Sequence, residues 1–330
     1  MPFSASPVIR RARLGAELRQ LRRRESLTLE QVCARLGWAS TSKLSRIELG
    51  QSRPDLADVL DLLDVYDVPE AHRAKLIVIA RDAATSRGWW KALGEMGERQ
   101  RTYAELESGA ATILEYQPAL VPGLLQTPAY ARLRVRAGQS LHPELDVEAD
   151  VRARVARQEV LWSETPPQYT AVLDERVCEP GGAPEDVWRE QLRHLVAVAG
   201  RPNVRLRVLP RGAAVAGGVH PLTPFACYSF PDPADPRTVM VEALTADVRL
   251  VAEPDVLRYE RLGEWLLAAA LSERDSAMLL AERAAGGVGP EVPGQRAAPD
   301  AAGRVAPDGA GPGGNGGSAA EGSPAGRAPG

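Results

Sequence analysis

The stretch Gly37–Pro54, GWASTSKLSRIELGQSRP, decides how the first part of the chain is read. If a helix runs from about Ser40 to Leu49, Leu44 and Ile47 stand at i and i+3 and must face inward. Thr41, Ser42, Ser45 and Arg46 then fall on the opposite face: short hydrogen-bonding side chains and one long forked donor. Short side chains let a helix approach base edges closely, and an arginine can bond guanine O6 and N7 together. Lys43, Gln51, Ser52 and Arg53 lie where a following turn can meet phosphates.

The preceding residues fit the same plan. In SLTLEQVCARLG, Thr28 stands as an N-cap with Gln31 three residues later, the spacing of a capping box. Leu29, Val32, Cys33 and Leu36 form the apolar stripe, and Gly37 is a helix stop. The backbone N–H groups at the start of this helix can hold a further phosphate. Two short helices joined by a few residues, the second polar on one side, make a helix-turn-helix. More helices flank it. Leu14, Leu18 and Leu21 share one face of the first, and Leu56, Val59, Leu60 and Leu63 follow an Asp N-cap. The last of them spans about Glu70 to Ala84, behind Pro69.

Charge points the same way without deciding it. The net charge is −3, yet Met1 to Arg53 carries eleven Lys/Arg against four Asp/Glu. A basic end on an otherwise acidic chain suits a polyanion-binding module and equally suits a solvated basic helix. The 330 residues are 44% hydrophobic and 25% charged, the balance of a soluble globular protein of about two domains. No apolar run approaches the roughly 18 residues that span a bilayer, and MPFSASPVIRRARLG lacks the apolar segment of a secretory signal. Cys33, Cys178 and Cys227 are scattered, with no CxxC pair. A reduced, cytoplasmic protein away from membranes is expected.

Residues 85–285 read as an α+β domain. Trp89 and Trp90 suggest packing onto it, a helix is expected over Tyr103 to Glu115, and VPGLLQTPAY is a Pro/Gly-bounded loop entering a helix near Pro128. Another helix, about Glu144 to Trp162, carries Val147, Val151, Val155, Gln158 and Trp162 along one side. QYTAVLDE reads as a strand, and PEDVWREQLRHLVAVAG as a helix with Trp188, Leu192, Leu195 and Ala199 on one face. NVRLRVLP alternates Val204, Leu206 and Val208 against Arg205 and Arg207, a half-buried strand. RGAAVAGGVHP reads as a flexible hairpin loop. TPFACYSF and RTVMVEAL are two further strands, and helices resume near Pro254. Residues 286–330, dominated by Gly, Pro, Ala and Ser, bury too little apolar surface to order and read as a disordered tail.

LTLEQVCARLGWASTSKLSRIELGQSRP resembles the five-helix DNA-binding domain of Xre/Cro/phage-repressor proteins, with the S-[RK]-[ILW]-E-x-G signature at Ser45, Arg46, Ile47, Glu48 and Gly50. The resemblance implies a lambda-repressor-like fold, double-stranded DNA as partner, and a structural pair between Glu48 and Arg22. The segments YAELESGAATILEYQPALVPGLLQTPAYARL, NVRLRVLP and VMVEAL are similar to actinobacterial WhiJ-like, antitoxin-like regulators. That class implies transcriptional control and a small partner protein, with a C-terminal domain of uncharacterised function. A homodimer is expected.

Catalytic and metal chemistry have little material. The four histidines form neither HxxxH nor HExxH, and no Cys/His cluster has ligand spacing. His220 and Cys227 are the nearest approach to a base and nucleophile, with Cys227 reading as strand interior. No enzyme, metal or cofactor is expected. Two features of the second domain could act. Gly123, Gln126, Thr127 and Tyr130 either line a partner or effector pocket or sit in a packed loop. The Arg205/Arg207 face either binds an anion or is simply solvated.

Overall fold

The computed structural model describes residues 6–84 and 96–286. Caps and apolar spacing set the first five helices: α1 (Pro7–Arg24), α2 (Leu29–Leu36), α3 (Thr41–Glu48), α4 (Leu56–Val65) and α5 (Glu70–Ala84). The capping box opens α2, Gln31 N–H donating to Thr28 Oγ1 at 3.2 Å and Thr28 N–H to Gln31 Oε1 at 2.9 Å. Asp55 opens α4 by accepting from Ala57 N–H at 2.9 Å. Leu14, Leu18 and Leu21 of α1 meet Val32 and Cys33 of α2 and Leu44 and Ile47 of α3 in one core. In α4 the buried set is Val59, Leu62 and Leu63, with Leu60 half-buried, because i, i+3 and i+4 share a face.

The second region is built on a six-stranded sheet. α6 (Glu98–Gly109) is followed at once by β1 (Thr112–Gln117), so the helix expected over Tyr103 to Glu115 ends at Gly109 and its last residues form a strand. Ala110 is already extended, and Thr112 and Ile113 are β-branched. The connection from β1 to β2 (Gln168–Asp174) carries α7 (Pro128–Gln139) and α8 (Val147–Gln158). α9 (Glu185–Ala199) connects β2 to β3 (Val204–Leu209). β1 pairs in parallel with β2 and β2 with β3, as strands joined through helices do. β4 (Phe225–Ser229), β5 (Thr238–Val241) and β6 (Val248–Leu250) add antiparallel neighbours, giving the order β3-β2-β1-β4-β5-β6. α10 (Glu253–Ala269) and α11 (Glu273–Ala284) complete the domain.

Some helix faces differ from their sequence reading. After Gln158 the chain tightens into a 3-10 turn, which rotates Leu161 inward and leaves Trp162 exposed beneath Arg201. In α9, Val198 takes the buried place expected of Ala199. The segment 211–221 is no hairpin loop, because it joins β3 to β4 and must pass β2 and β1 to do so. Trp89, Trp90 and the tail from 287 onward lie outside the described residues.

Period-2 alternation sorts the sheet into two faces. Ile113, Tyr169, Leu206 and Tyr228 face α9 and α11, whereas Tyr116, Val172, Phe225 and Val239 face α10. The first helix belongs to two cores. Val8 and Ile9, at the start of α1, are buried in the core of the α+β domain, while Leu14, Leu18 and Leu21 of the same helix are buried among α2 to α5. Arg10 and Arg13 pair with Asp232 and Asp235 of the β4–β5 turn, and Arg11 pairs with Glu105 of α6. The described helices and sheet thus form one compact unit.

Candidate functional site

The second helix of the helix-turn-helix is α3. Leu44 and Ile47 anchor it, and its far end is tied down by a fork: Arg22 Nε donates to Glu48 Oε1 at 2.6 Å and Arg22 Nη2 to Glu48 Oε2 at 2.8 Å. A third donor of Arg22 reaches the Leu27 carbonyl at 2.8 Å, so one guanidinium joins α1, α3 and the turn before α2. Glu48 is nearly enclosed, and this pair is structural, as the resemblance implied. Gly50 then takes a left-handed φ of 65°, where a Cβ would lie 2.8 Å from the Ala12 Cα. The chain turns back against α1 at that point.

What this leaves facing out is Ser42 and Arg46, both exposed, flanked by half-buried Thr41 and Ser45. Arg46 makes no ion pair among the described residues. Ser40 occupies the N-cap without a side-chain bond to the helix, leaving the first N–H groups of α3 uncapped. Gln51 and Arg53 are exposed just beyond. Thr28 and Gln31 stand at the start of α2 with their side chains engaged in the capping box, so what they present outward is backbone. Lys43 differs from the expected free phosphate contact. Its Nζ is 2.6 Å from Asp58 and lies over the Trp38 ring, a contact that DNA would have to compete for. The basic surplus is also smaller than composition suggested, since Arg10, Arg11 and Arg13 are paired with acids of the α+β domain.

A second site lies in the α+β domain. Glu115 and Gln117 of β1, Ala226 and Tyr228 of β4 and Glu242 past β5 alternate onto one face, forming the floor of a cavity of about 210 Å³. Gln100, Tyr103 and Glu107 of α6 wall one side, Arg154 and Arg157 of α8 another, with Gly123, Gln126 and Arg134 at the rim. Arg157 is buried and forked onto Glu107, its Nε donating to Oε2 at 2.9 Å, and it also donates to Gln100. Burial works against this guanidinium, but the Glu107 carboxylate more than offsets it and holds the pKa above its ordinary value. Glu115 accepts from the Tyr169 hydroxyl at 2.7 Å and from Gln117 Nε2 at 2.9 Å.

Burial first, and then the neighbouring Glu242, push Glu115 up to about 7. Its folded pKa therefore lies above the ordinary 4.5, and the folded state binds the proton more tightly than the unfolded one. Stability should fall as pH rises from about 4.5 to about 7, the sign opposite to that of a salt-bridged carboxylate. Glu115→Gln should accordingly be more stable than the parent at pH 8, and the difference should vanish below pH 4.5. Urea midpoints at the two pH values test this, and equal midpoints at pH 8 would contradict it.

Of the four loop residues read as either pocket lining or a packed loop, Gly123 and Gln126 line the cavity and two are packed. Thr127 caps α7, its hydroxyl accepting from Tyr130 N–H, and its own N–H donates to buried Gln191. Tyr130 is in the core against Trp188. Of the two arginines on the β3 face, Arg205 is solvent-exposed and Arg207 is engaged by backbone. Arg207 donates to the carbonyls of Ala270 and Leu271, and Arg205 faces Glu273. His220 lines a cavity that Cys227 does not, and burial pushes the Cys227 thiol up to about 12. Among the described residues no group of three His, Cys, Asp or Glu side chains is placed to hold a metal ion, and no helix is long and apolar enough to cross a membrane. The sequence reading missed Arg134, Arg157, Glu115 and Glu242. A polar Glu inside an apolar alternating run, as in TILEYQ, is the one local signal that points to them.

Residues 13–76 match a family described as a helix-turn-helix domain, and residues 100–282 match one described as a domain of unknown function (DUF5753). No curated protein and no solved structure matches the chain.

Proposed function

We propose that this chain, which belongs to the DUF5753 family, is a cytoplasmic, sequence-specific transcriptional regulator whose α3 enters the major groove and whose larger domain senses a signal. The helix-turn-helix domain supports a DNA-binding regulator of Xre type in general. The observation that carries the finer reading is the outward face of α3, where Arg46 is exposed and makes no ion pair among the described residues while Leu44, Ile47 and Glu48 are locked beneath it. Arg46 and Ser42 read base edges, with Thr41 and Ser45 closer to the groove wall. Gln51, Arg53 and the first backbone N–H groups of α2 and α3 hold phosphates. A homodimer would bind an inverted repeat with half-site centres about one helical turn, roughly 10 bp, apart. The α+β domain acts as a sensor and not as a catalyst.

The test begins with mapping the DNA that the protein occupies and measuring affinity for the recovered site by fluorescence anisotropy. Arg46→Ala should cost about 1–3 kcal/mol and relax preference at one base pair. Unchanged affinity and base preference would show that a different face reads the DNA. A steep salt dependence without site preference would reduce the activity to general polyanion binding.

A second reading makes the α+β domain an antitoxin-like adaptor, with DNA binding for autoregulation. It is favoured by the exposed Leu244, Val248 and Val251 around the free edge strand β6, an apolar strip beside unpaired backbone. A small protein that co-purifies in stoichiometric amount and alters the DNA complex would support it.

A further inference from the structure

The cavity between α6, α8 and the sheet holds buried polar atoms with no partner of their own. Gln126 is 3% exposed, and its Nε2 donates to the Val121 carbonyl at 2.8 Å while its Oε1 accepts from nothing. The buried Nε of Arg134 likewise meets no acceptor. Buried polar atoms are otherwise satisfied almost everywhere in folded proteins, so these two, with the Tyr103 hydroxyl as a third lining the same cavity, mark a place where something polar belongs.

The charges around the cavity say what it is. Arg157 is matched by Glu107, Arg154 by Asp150 at 3.0 Å, and Arg99 by Asp247 at 2.8 Å. Arg134 has no ion pair among the described residues, so its guanidinium is open to an anion. Glu115 and Glu242 are bridged by Gln117 Nε2, which donates to both, and Glu242 is only 3.6 Å from a guanidinium already engaged by Asp247. Glu242 is thus the carboxyl group of the floor whose cation is held mainly by another carboxylate, and it can accept a positive donor. The free acceptor of Gln126 adds to that demand. About 210 Å³ is room for roughly seven waters, less than a drug-sized ligand occupies.

We propose that this cavity binds a free α-amino acid, its carboxylate on Arg134 and its ammonium on Gln126 Oε1 and Glu242. The inference rests on the reading of the α+β domain as the sensing half, and it supplies the chemistry of the signal. The route to the DNA-binding helices is α6. That helix gives Gln100, Tyr103 and Glu107 to the cavity, holds Arg11 of α1 through Glu105, and ends at Gly109 against Ser6 at the start of α1.

The experiment uses the full chain and the twenty standard L-amino acids, each at millimolar concentration, first by thermal shift and then by titration calorimetry. At least one should raise the melting temperature and bind with a stoichiometry of one. Arg134→Gln should weaken that amino acid more than tenfold, and Glu242→Gln should do the same. The amine lacking the α-carboxylate should bind the parent more than tenfold more weakly than the amino acid. Arg134 is half-buried and bonded to nothing described, so the variant should melt at the parent's temperature without ligand; if it does not, the comparison rests on Glu242→Gln and the decarboxylated amine. Failure of all twenty, or equal binding by parent and variants, overturns the proposal. Operator affinity of the ligand-free protein is measured beside it. Intact operator binding with no amino acid bound removes only the ligand, whereas amino-acid binding without operator binding removes only the regulator.

Discussion

Glu107→Ala should destabilise the folded chain by about 3–5 kcal/mol, measured as a drop in the urea midpoint at constant slope. The reason is what it leaves behind. Arg157 lies fully inside the protein, with two donors on Glu107 and one on Gln100. Without the carboxylate the guanidinium stays charged, because its pKa is far above any working pH, and it keeps only the Gln100 amide as acceptor and the Tyr103 ring beside it. A surface pair of the same geometry would be worth about 0–1 kcal/mol, so the size of the loss reports the burial. Removing both members with Glu107→Leu and Arg157→Leu should recover most of the stability, since a buried pair and an apolar replacement are often close in energy. A loss below about 1 kcal/mol in the single variant would mean that water reaches Arg157 through the cavity mouth.

Gly15→Ala should disable DNA binding through packing alone. A Cβ at Gly15 would stand 2.5 Å from the Ile47 carbonyl oxygen and 2.6 Å from that of Glu48. Those are backbone atoms at the end of α3, and they cannot rotate aside as a side chain would. Overpacking of this kind costs about 1–3 kcal/mol and more when backbone must move. Alanine's helix propensity returns at most about 1 kcal/mol of that. The relaxation available is to push α3 away from α1, which stretches the Arg22–Glu48 fork and tilts the face carrying Arg46. Operator affinity should fall at least tenfold while the sheet domain keeps its far-UV signature. Gly138→Ala in α7 is the control, because its Cβ would meet Leu145 at an ordinary 3.8 Å. If Gly15→Ala bound the operator like the parent, α1 and α3 would not be in the contact described.

The two sites were unequally legible in the sequence for a physical reason. The helix-turn-helix is a local object: Thr28 and Gln31 are three residues apart, Leu44 and Ile47 three apart, and their periodicity states which side is inside. The fork between Arg22 and Glu48 is not local, and composition alone gave no sign of it; the family resemblance did. The cavity is the opposite case throughout. Gln100, Glu115, Arg157 and Glu242 are brought together by a crossover and an antiparallel turn, and each looks like a surface residue in its own segment. The helix expected over Tyr103 to Glu115 takes in the first four residues of β1, because Glu115 interrupts the apolar pattern of a buried strand. The charge of α1 misled in the same manner: Arg10, Arg11 and Arg13 look like a polyanion patch until the sheet domain supplies Asp232, Asp235 and Glu105.

The sharing of α1 between two cores has a consequence for how such a chain can change over generations. A boundary drawn near residue 85 looks like a clean seam, yet the sheet domain's interior includes Val8 and Ile9, which precede the reading helices in the chain. Recombination that replaced the first 84 residues with another DNA-binding module would open a hole in the sheet domain unless the newcomer brought matching residues at its own start. Such an exchange should therefore destabilise the sheet domain, whereas a substitution on the exposed face of α3 leaves both cores intact.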